Sequence, residues 1–265
     1  MQWEQLTATD FANAVRETGV CVLSLGVLEK HSEHLPLGTD YLIGHRVACL
    51  AAEREPAVVF PPYYFGQIYE ARCFPGTFTV APGLLLELLL SVLDEIGRNG
   101  FRKIILFNAH GGNTHFLRFL AQAQLWEQKP YTLYMPTQGL SPEAEKQWLG
   151  MRKTDFGGHA CEEETSMVLG IYPELVKMDR VPKQPARPLG RLASLPPTYT
   201  GSWWYADYPD HYAGDARSAT REKGQFLINA MADNLAGYIA AVKTDAVVPA
   251  LESEFFNSKK EQKTG

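Results

Sequence analysis

Residues 20–28 read VCVLSLGVL, and residues 28–40 continue LEKHSEHLPLGTD. The first stretch is nearly unbroken apolar sequence rich in Val and Leu. Such a run suits a strand covered on both faces, as in a parallel sheet flanked by helices. The second stretch packs two glutamates, two histidines and one aspartate into thirteen positions. In open α/β sheets ligands bind beyond the carboxyl ends of strands, which is where this polar cluster falls.

The rest of the chain repeats the pattern. AVVF (57–60), stopped by Pro61-Pro62, KIILFN (103–108) and YTLYMP (131–136) read as further strands. Helical patterns cover 8–17, with a Thr7 or Thr9 cap, then 41–53, 82–99, 113–127, 160–170 and 219–242. Strands alternating with helices predict an α/β fold with a mostly parallel central sheet. GLLLELLLSVL, at 83–93, is about half the length that spans a bilayer and carries Glu87, so it reads as a buried helix. Residues 181–215 are rich in Pro, Gly, Trp and Tyr without a period. That aromatic content argues for an ordered lid or subunit contact. Residues 1–250 read as one domain and 251–265 as a flexible tail.

Of the 265 residues, 45% are hydrophobic and 21% charged, which permits a full core. The net charge of −5, with scattered basic residues, points away from a nucleic-acid partner. The four cysteines form no CxxC pair, so neither a zinc knuckle nor a disulfide framework is signalled. Reduced cysteines and a polar, acidic N-terminus without an apolar signal core suggest a cytoplasmic protein with no membrane partner.

Three stretches carry chemistry. Glu29 and His31 stand two apart at a strand end and can face one side, and Asp40 follows the Pro36 turn and can fold back to join them. Asp, Glu and His are common ligands of zinc and manganese. His110 follows KIILFNA and precedes Gly111-Gly112-Asn113, a glycine turn that permits close backbone approach, with Asn113 as a helix cap. His115, one turn on, reads as surface or packing. In GGHACEEETSMVL (157–169), helical spacing puts Cys161, Glu164 and Val168 on one apolar face, so Glu164 points inward while Glu162 and Glu163 are the more exposed. A buried carboxylate needs a cation or strong hydrogen bonds. His159 precedes this helix and can face the same pocket. A Cys161 nucleophile activated by His159 is the weaker reading, because nothing marks Cys161 as exposed. No G-x-S-x-G, HEXXH, Walker or GxGxxG frame is present.

EKHSEHLPLGTD, NAHGGN and HACEEETS, in this order and with FPGT at 74–77 and GDARSATREKG at 214–224, resemble the creatininase (creatinine amidohydrolase) family. The resemblance spans residue 20 to about residue 225. It implies a three-layer α/β/α sandwich and a homohexamer holding two divalent ions per subunit, Zn²⁺ or Mn²⁺. By motif position the metal ligands would be Glu29, His31, Asp40, His110 and Glu164, with Asp40 bridging and His159 as the non-ligand catalytic histidine. Two divalent ions, three carboxylates and one bridging hydroxide sum to a neutral site. The implied reaction is hydrolysis of a small molecule: hydroxide attacks a carbonyl and His159 passes a proton to an amide or ring nitrogen. A close alternative opens a cyclic polyol ketone by C–C hydrolysis. A non-catalytic binding protein or a structural ring subunit would not account for the retained ligand set.

This chain departs from the family pattern at three places. Gly112 stands where creatininase proper has a metal-assisting glutamate, which argues against creatinine as substrate. Ala71 replaces a histidine in EARCFPGT, with Arg72 nearby to bind an anion or form a salt bridge. Lys30 and Ser32 flank His31 where Gln and Gly are usual.

Overall fold

All six residues of β1 (Val20–Leu25) are buried, as the unbroken apolar run requires. The computed structural model describes residues 1–261. In it β1 pairs in parallel with β2 (Val58–Val59) on one side and with β3 (Lys103–Asn108) on the other. Parallel pairing of β3 with β4 (Thr132–Tyr134) completes a sheet of order β2-β1-β3-β4.

Alternation along the strands splits the core in two. Val20, Val22, Ile105 and Phe107 face one side, where they meet apolar residues of α2 (Thr39–Arg54), α5 (Pro142–Met151), α6 (Glu162–Ile171) and α8 (Arg221–Thr244). Cys21, Leu23, Leu25, Ile104 and Leu106 face the other, against α1 (Ala8–Thr18), α3 (Pro82–Arg98) and α4 (Thr114–Ala123). Period-two side chains sandwiched by helices on both faces give the three-layer α/β/α arrangement with a parallel central sheet.

The expected helices form within a few residues of their anticipated ends. Thr7 caps α1 by accepting the Asp10 N–H at 3.2 Å. The leucine-rich α3 buries only one face: Leu85, Leu89, Leu93 and Ile96 are covered, while Leu84 is 53% exposed. Among the described residues no helix is long and apolar enough to cross a membrane. Asn113 does not cap α4 with its side chain, which instead accepts the Gln67 N–H at 2.8 Å.

Several elements were not anticipated. These are α5, the antiparallel pair β5 (Gly157–His159) and β6 (Ala213–Gly214), the short α7 (Trp203–Asp207) within the aromatic loop, and α9 (Val247–Glu261). The stretch 251–265, expected as a tail, therefore continues as helix to Glu261, and residues 262–265 lie outside the described residues.

Glu162 departs from its expected exposure. It is 1% exposed and accepts from Lys223 Nζ at 2.5 Å, from the Lys153 and Thr154 N–H groups, and from the Thr154 hydroxyl. A lysine on α8 thus compensates a carboxylate that helix position alone assigns to solvent. Nearby, a Cβ on Gly224 would sit 1.7 Å from the Ser166 carbonyl oxygen, so the missing side chain lets α8 lie directly on α6.

Candidate metal centre

The site forms where β1 and β3 end. A Cβ on Gly26 would lie 2.4 Å from the Tyr41 nitrogen and 2.8 Å from the Asp40 carbonyl carbon. Glycine there lets the end of β1 touch the first turn of α2, which carries Asp40. The following loop is tied down by the Glu29 N–H donating to the Leu37 carbonyl at 2.9 Å. His110 extends from the end of β3, and Glu164 from the first turn of α6. Ser32, Ala160 and His211 are the non-glycine residues with left-handed backbone (φ 55, 52 and 53) among those described, and all three border this cluster. Such conformations cost free energy and gather at functional sites.

Glu29, His31, Asp40, His110 and Glu164 converge. Nε2 of His31 lies 3.2 Å from Asp40 Oδ1, 3.8 Å from Glu29 Oε1 and 3.9 Å from Glu164 Oε2. His110 Nδ1 lies 2.9 Å from both Glu29 Oε1 and Asp40 Oδ2. Asp40 therefore presents one oxygen to each histidine. His31 Nδ1 donates to the Glu29 carbonyl at 3.2 Å, which aims Nε2 into the cluster. Three triads, Glu29–Asp40–His110, His31–Asp40–Glu164 and Glu29–His31–His159, each gather three ligand atoms within 4.8 Å of one another, and the first two share Asp40.

The donor set fits divalent cations. Glu29 Oε1 and Asp40 Oδ2 are buried and both crowd His110 Nδ1, which can donate its one proton to only one of them at a time. Glu164 faces the cluster as expected but is more exposed than Glu162. Two carboxylates buried together, with the half-buried Glu164 beside them, are costly without positive charge. The histidine rings supply that charge in the cluster's own electrostatics. Burial opposes a charged His31, but Asp40, Glu29 and Glu164 outweigh it and hold the ring up at about 10. Burial likewise opposes a charged His110, which Glu29 and Asp40 nevertheless keep well above the ordinary imidazole value. Glu29 is pulled well below the carboxylate range: burial raises it, and His110, His159 and hydrogen bonds from His110 and His211 overcome that. Burial, with the neighbouring Asp40 and Glu29 carboxylates, lifts Glu164 to about 7.

His159 joins the same pocket. Its ring lies 4.2 Å from that of His31, and burial together with the His31 charge drives it well below the usual imidazole value. Nε2 donates to the Lys30 carbonyl at 2.8 Å, which leaves Nδ1 as the acceptor of the neutral ring, 4.0 Å from Glu164 Oε2. Cys161 is buried and its thiol is pushed up to about 12, so it is no activated nucleophile.

Sequence reasoning missed His211. It is 2% exposed, and its Nε2 donates to Glu29 Oε2 at 2.8 Å. The Trp204 indole, a pure donor, reaches His211 Nδ1 at 3.2 Å, which fixes the proton on Nε2. No motif marks His211, which arrives from the aromatic loop. That loop also lines a cavity of about 440 Å³ over the cluster with Tyr199, Trp203 and Trp204, while Gln67, Glu70 and the exposed His115 line other parts of its wall.

A family model described as Creatininase, creatinine amidohydrolase, matches residues 4–239. The creatinine amidohydrolase of Pseudomonas putida is 29% identical over 252 residues, covering 83% of this chain and 89% of its own length. The 3-dehydro-scyllo-inosose hydrolase of Thermotoga maritima is 25% identical over 255 residues, covering 88% and 80%. A crystal structure of creatinine amidohydrolase (creatininase) superposes with a TM-score of 0.77 at 23% identity, covering 92% of this chain and 98% of that one.

Proposed function

Because the chain belongs to the creatininase family of hydrolases, we propose that it is a dinuclear metal-dependent hydrolase that cleaves a C–N bond, in an amide or cyclic amide, of a small molecule. The observation that carries this reading is Asp40, whose two oxygens each meet a different histidine within one buried cluster of carboxylates. Glu29, Asp40 and His110 would hold one ion; His31, Asp40 and Glu164 would hold the other. Mixed nitrogen and oxygen donors suit zinc or manganese. When bound, such ions lower the pKa of water towards ~7 and polarise a carbonyl.

The chain's own residues handle the proton. His159 is neutral, held by Lys30 through Nε2, and exposes Nδ1 to the pocket beside Glu164. Nδ1 takes the proton given up by the attacking water and returns it to the leaving nitrogen, which prevents expulsion of an amide anion. His211 fixes Glu29 through one carboxylate oxygen and leaves the other facing His110. The aromatic loop over the cavity limits access of bulk water.

A second reading has the same residues hydrolyse a C–C bond in a cyclic polyol ketone. The acceptor side chains Gln67 and Glu70 on the cavity wall favour it, since they suit hydroxyl donors. We place the enzyme in the cytoplasm as a homohexamer, on family resemblance.

Metal analysis combined with turnover tests the reading. The loaded protein is expected to hold two ions per chain and to hydrolyse at least one of creatinine, a formamide, a short peptide or an inosose. Glu164→Gln is expected to abolish that turnover. Full activity in Glu164→Gln, or a protein that retains no stoichiometric metal, would sink the assignment.

A further inference from the structure

Gly112 forms a notch in the cavity wall. A Cβ built there would lie 2.5 Å from His110 Nε2 and 3.1 Å from both Gln67 Oε1 and Glu70 Oε1. Polar atoms of three side chains therefore converge on one point. Two of them, His110 Nε2 and Gln67 Oε1, are buried and have no hydrogen-bond partner, and His110 as a whole is 9% exposed. Unpartnered buried polar atoms are rare and call for an explanation.

The arrangement is fastened in place. Gln67 Nε2 donates to Glu70 Oε2 at 3.1 Å, which turns Gln67 Oε1 and Glu70 Oε1 towards the notch. The Gln67 N–H donates to Asn113 Oδ1 at 2.8 Å, and Asn113 Nδ2 donates to Asn108 Oδ1 at 3.3 Å, so this loop is pinned to the end of β3. His110 turns Nδ1 towards Glu29 and Asp40, so when Nδ1 serves as a ligand the ring proton sits on Nε2 and points into the notch. The notch thus offers one donor and two acceptors. Trp203 and Trp204 line the same cavity, and among the described residues no Lys or Arg lines it.

We propose that Gln67, Glu70 and the Nε2 edge of His110 form a specificity subsite that binds the non-reacting side of the substrate by gripping two adjacent hydrogen-bond donors on a small ring without phosphate or carboxylate. The proposal rests on the hydrolase reading above. Vicinal hydroxyls of a polyol and the paired N–H groups of a cyclic amidine share this chemistry. The aromatic wall accepts the apolar face of either ring. An anionic substituent meets Glu70 with no cationic side chain to offset it. Gly112 keeps the notch open: a methyl group there collides with His110 Nε2.

Calorimetric binding to the zinc-loaded full chain tests this, with scyllo-inosose, creatinine and inositol 1-phosphate as probes. At least one of the first two is expected to bind at millimolar concentration or better, and which one does so identifies the donor source. Inositol 1-phosphate is expected to bind at least tenfold more weakly than that ring. Gln67→Ala, Glu70→Ala and the gentler Glu70→Gln are each expected to weaken the ring about tenfold while zinc content and melting temperature stay at wild-type values. Unchanged affinity in Gln67→Ala and Glu70→Ala, tighter binding of the phosphate probe, or binding of neither ring overturns the subsite. Two zinc ions with no sensitivity at Gln67 or Glu70 would defeat the subsite alone, whereas ring binding that depends on Gln67 and Glu70 in a protein without stoichiometric zinc would defeat the metal reading alone.

Discussion

Asp40 has one oxygen 3.2 Å from His31 Nε2 and the other 2.9 Å from His110 Nδ1, so a single carboxylate touches both halves of the cluster. Asp40→Asn keeps the shape but replaces one acceptor oxygen with an amide that repels cations. Metal content should fall from two ions towards none, whereas loss of Glu164 should spare the Glu29–His110 half; elemental analysis of both variants separates the two. His211 acts one step back, since it only orients Glu29. His211→Asn should weaken metal binding by about 10–100-fold, the range typical of such supporting partners, as read by competition with a chromogenic chelator. His34 is buried outside the ligand set, and burial with the His31 charge holds it down at about 4 against an ordinary 6.5. Between those values the unfolded chain binds the proton and the folded chain does not, so stability rises with pH across that window and is lost as pH falls through it. The whole effect is about 3 kcal/mol at most. The denaturant midpoint of wild type relative to that of His34→Gln should fall as pH drops from 7 to 4; parallel curves would contradict this account.

Helices α6 and α8 set the position of Glu164, because α6 carries it in its first turn. Two devices fix their contact. Gly224 stands where any Cβ would lie 1.7 Å from the Ser166 carbonyl, so Gly224→Ala must push the helices apart and should lower both the melting temperature and metal affinity. Lys223 neutralises the buried Glu162. Lys223→Met strands that carboxylate and should cost about 3–5 kcal/mol in denaturant unfolding, with much of the loss recovered on adding Glu162→Gln. At this scale the sequence was readable wherever an apolar run or a long period existed: β1, β3 and α8 lie close to where their patterns predict. The two- and three-residue strands β5 and β6 contain too few residues to carry a period. Helix α5 buries little beyond Trp148, so its amphipathic signal is faint despite the Ser141 cap. The site divides in the same way. Residues standing directly after strands, such as Glu29 and His110, declare themselves locally. His211 meets Glu29 across 182 positions, and Glu162 meets its lysine across 61, which no local pattern encodes.

The cluster joins four distant segments: the loop after β1, the first turn of α2, the turn after β3 and the start of α6. An ion pair bound there would tie both sides of the sheet's carboxyl edge together, so metal should act as a staple for the whole molecule. Bound ligand stabilises by RT ln(1 + [L]/Kd), about 4 kcal/mol at a thousandfold excess over Kd. For a chain of this size that corresponds to a rise in melting temperature of roughly 10 °C. Chelation should remove this increment and excess zinc should restore it, with Asp40→Asn indifferent to both. The increment must also depend on pH. Without metal, His31 is held at about 10 and Glu164 at about 7, so both carry protons over part or all of the neutral range. Coordination requires the deprotonated forms, and protons therefore compete with the ions. Binding should release protons, seen as a calorimetric heat that changes with buffer ionisation enthalpy. The chelator-sensitive part of the melting temperature should shrink as pH falls from 8 to 6. An increment that grows on acidification, or zinc uptake without proton release, would mean that the ions bind somewhere other than among these histidines and carboxylates.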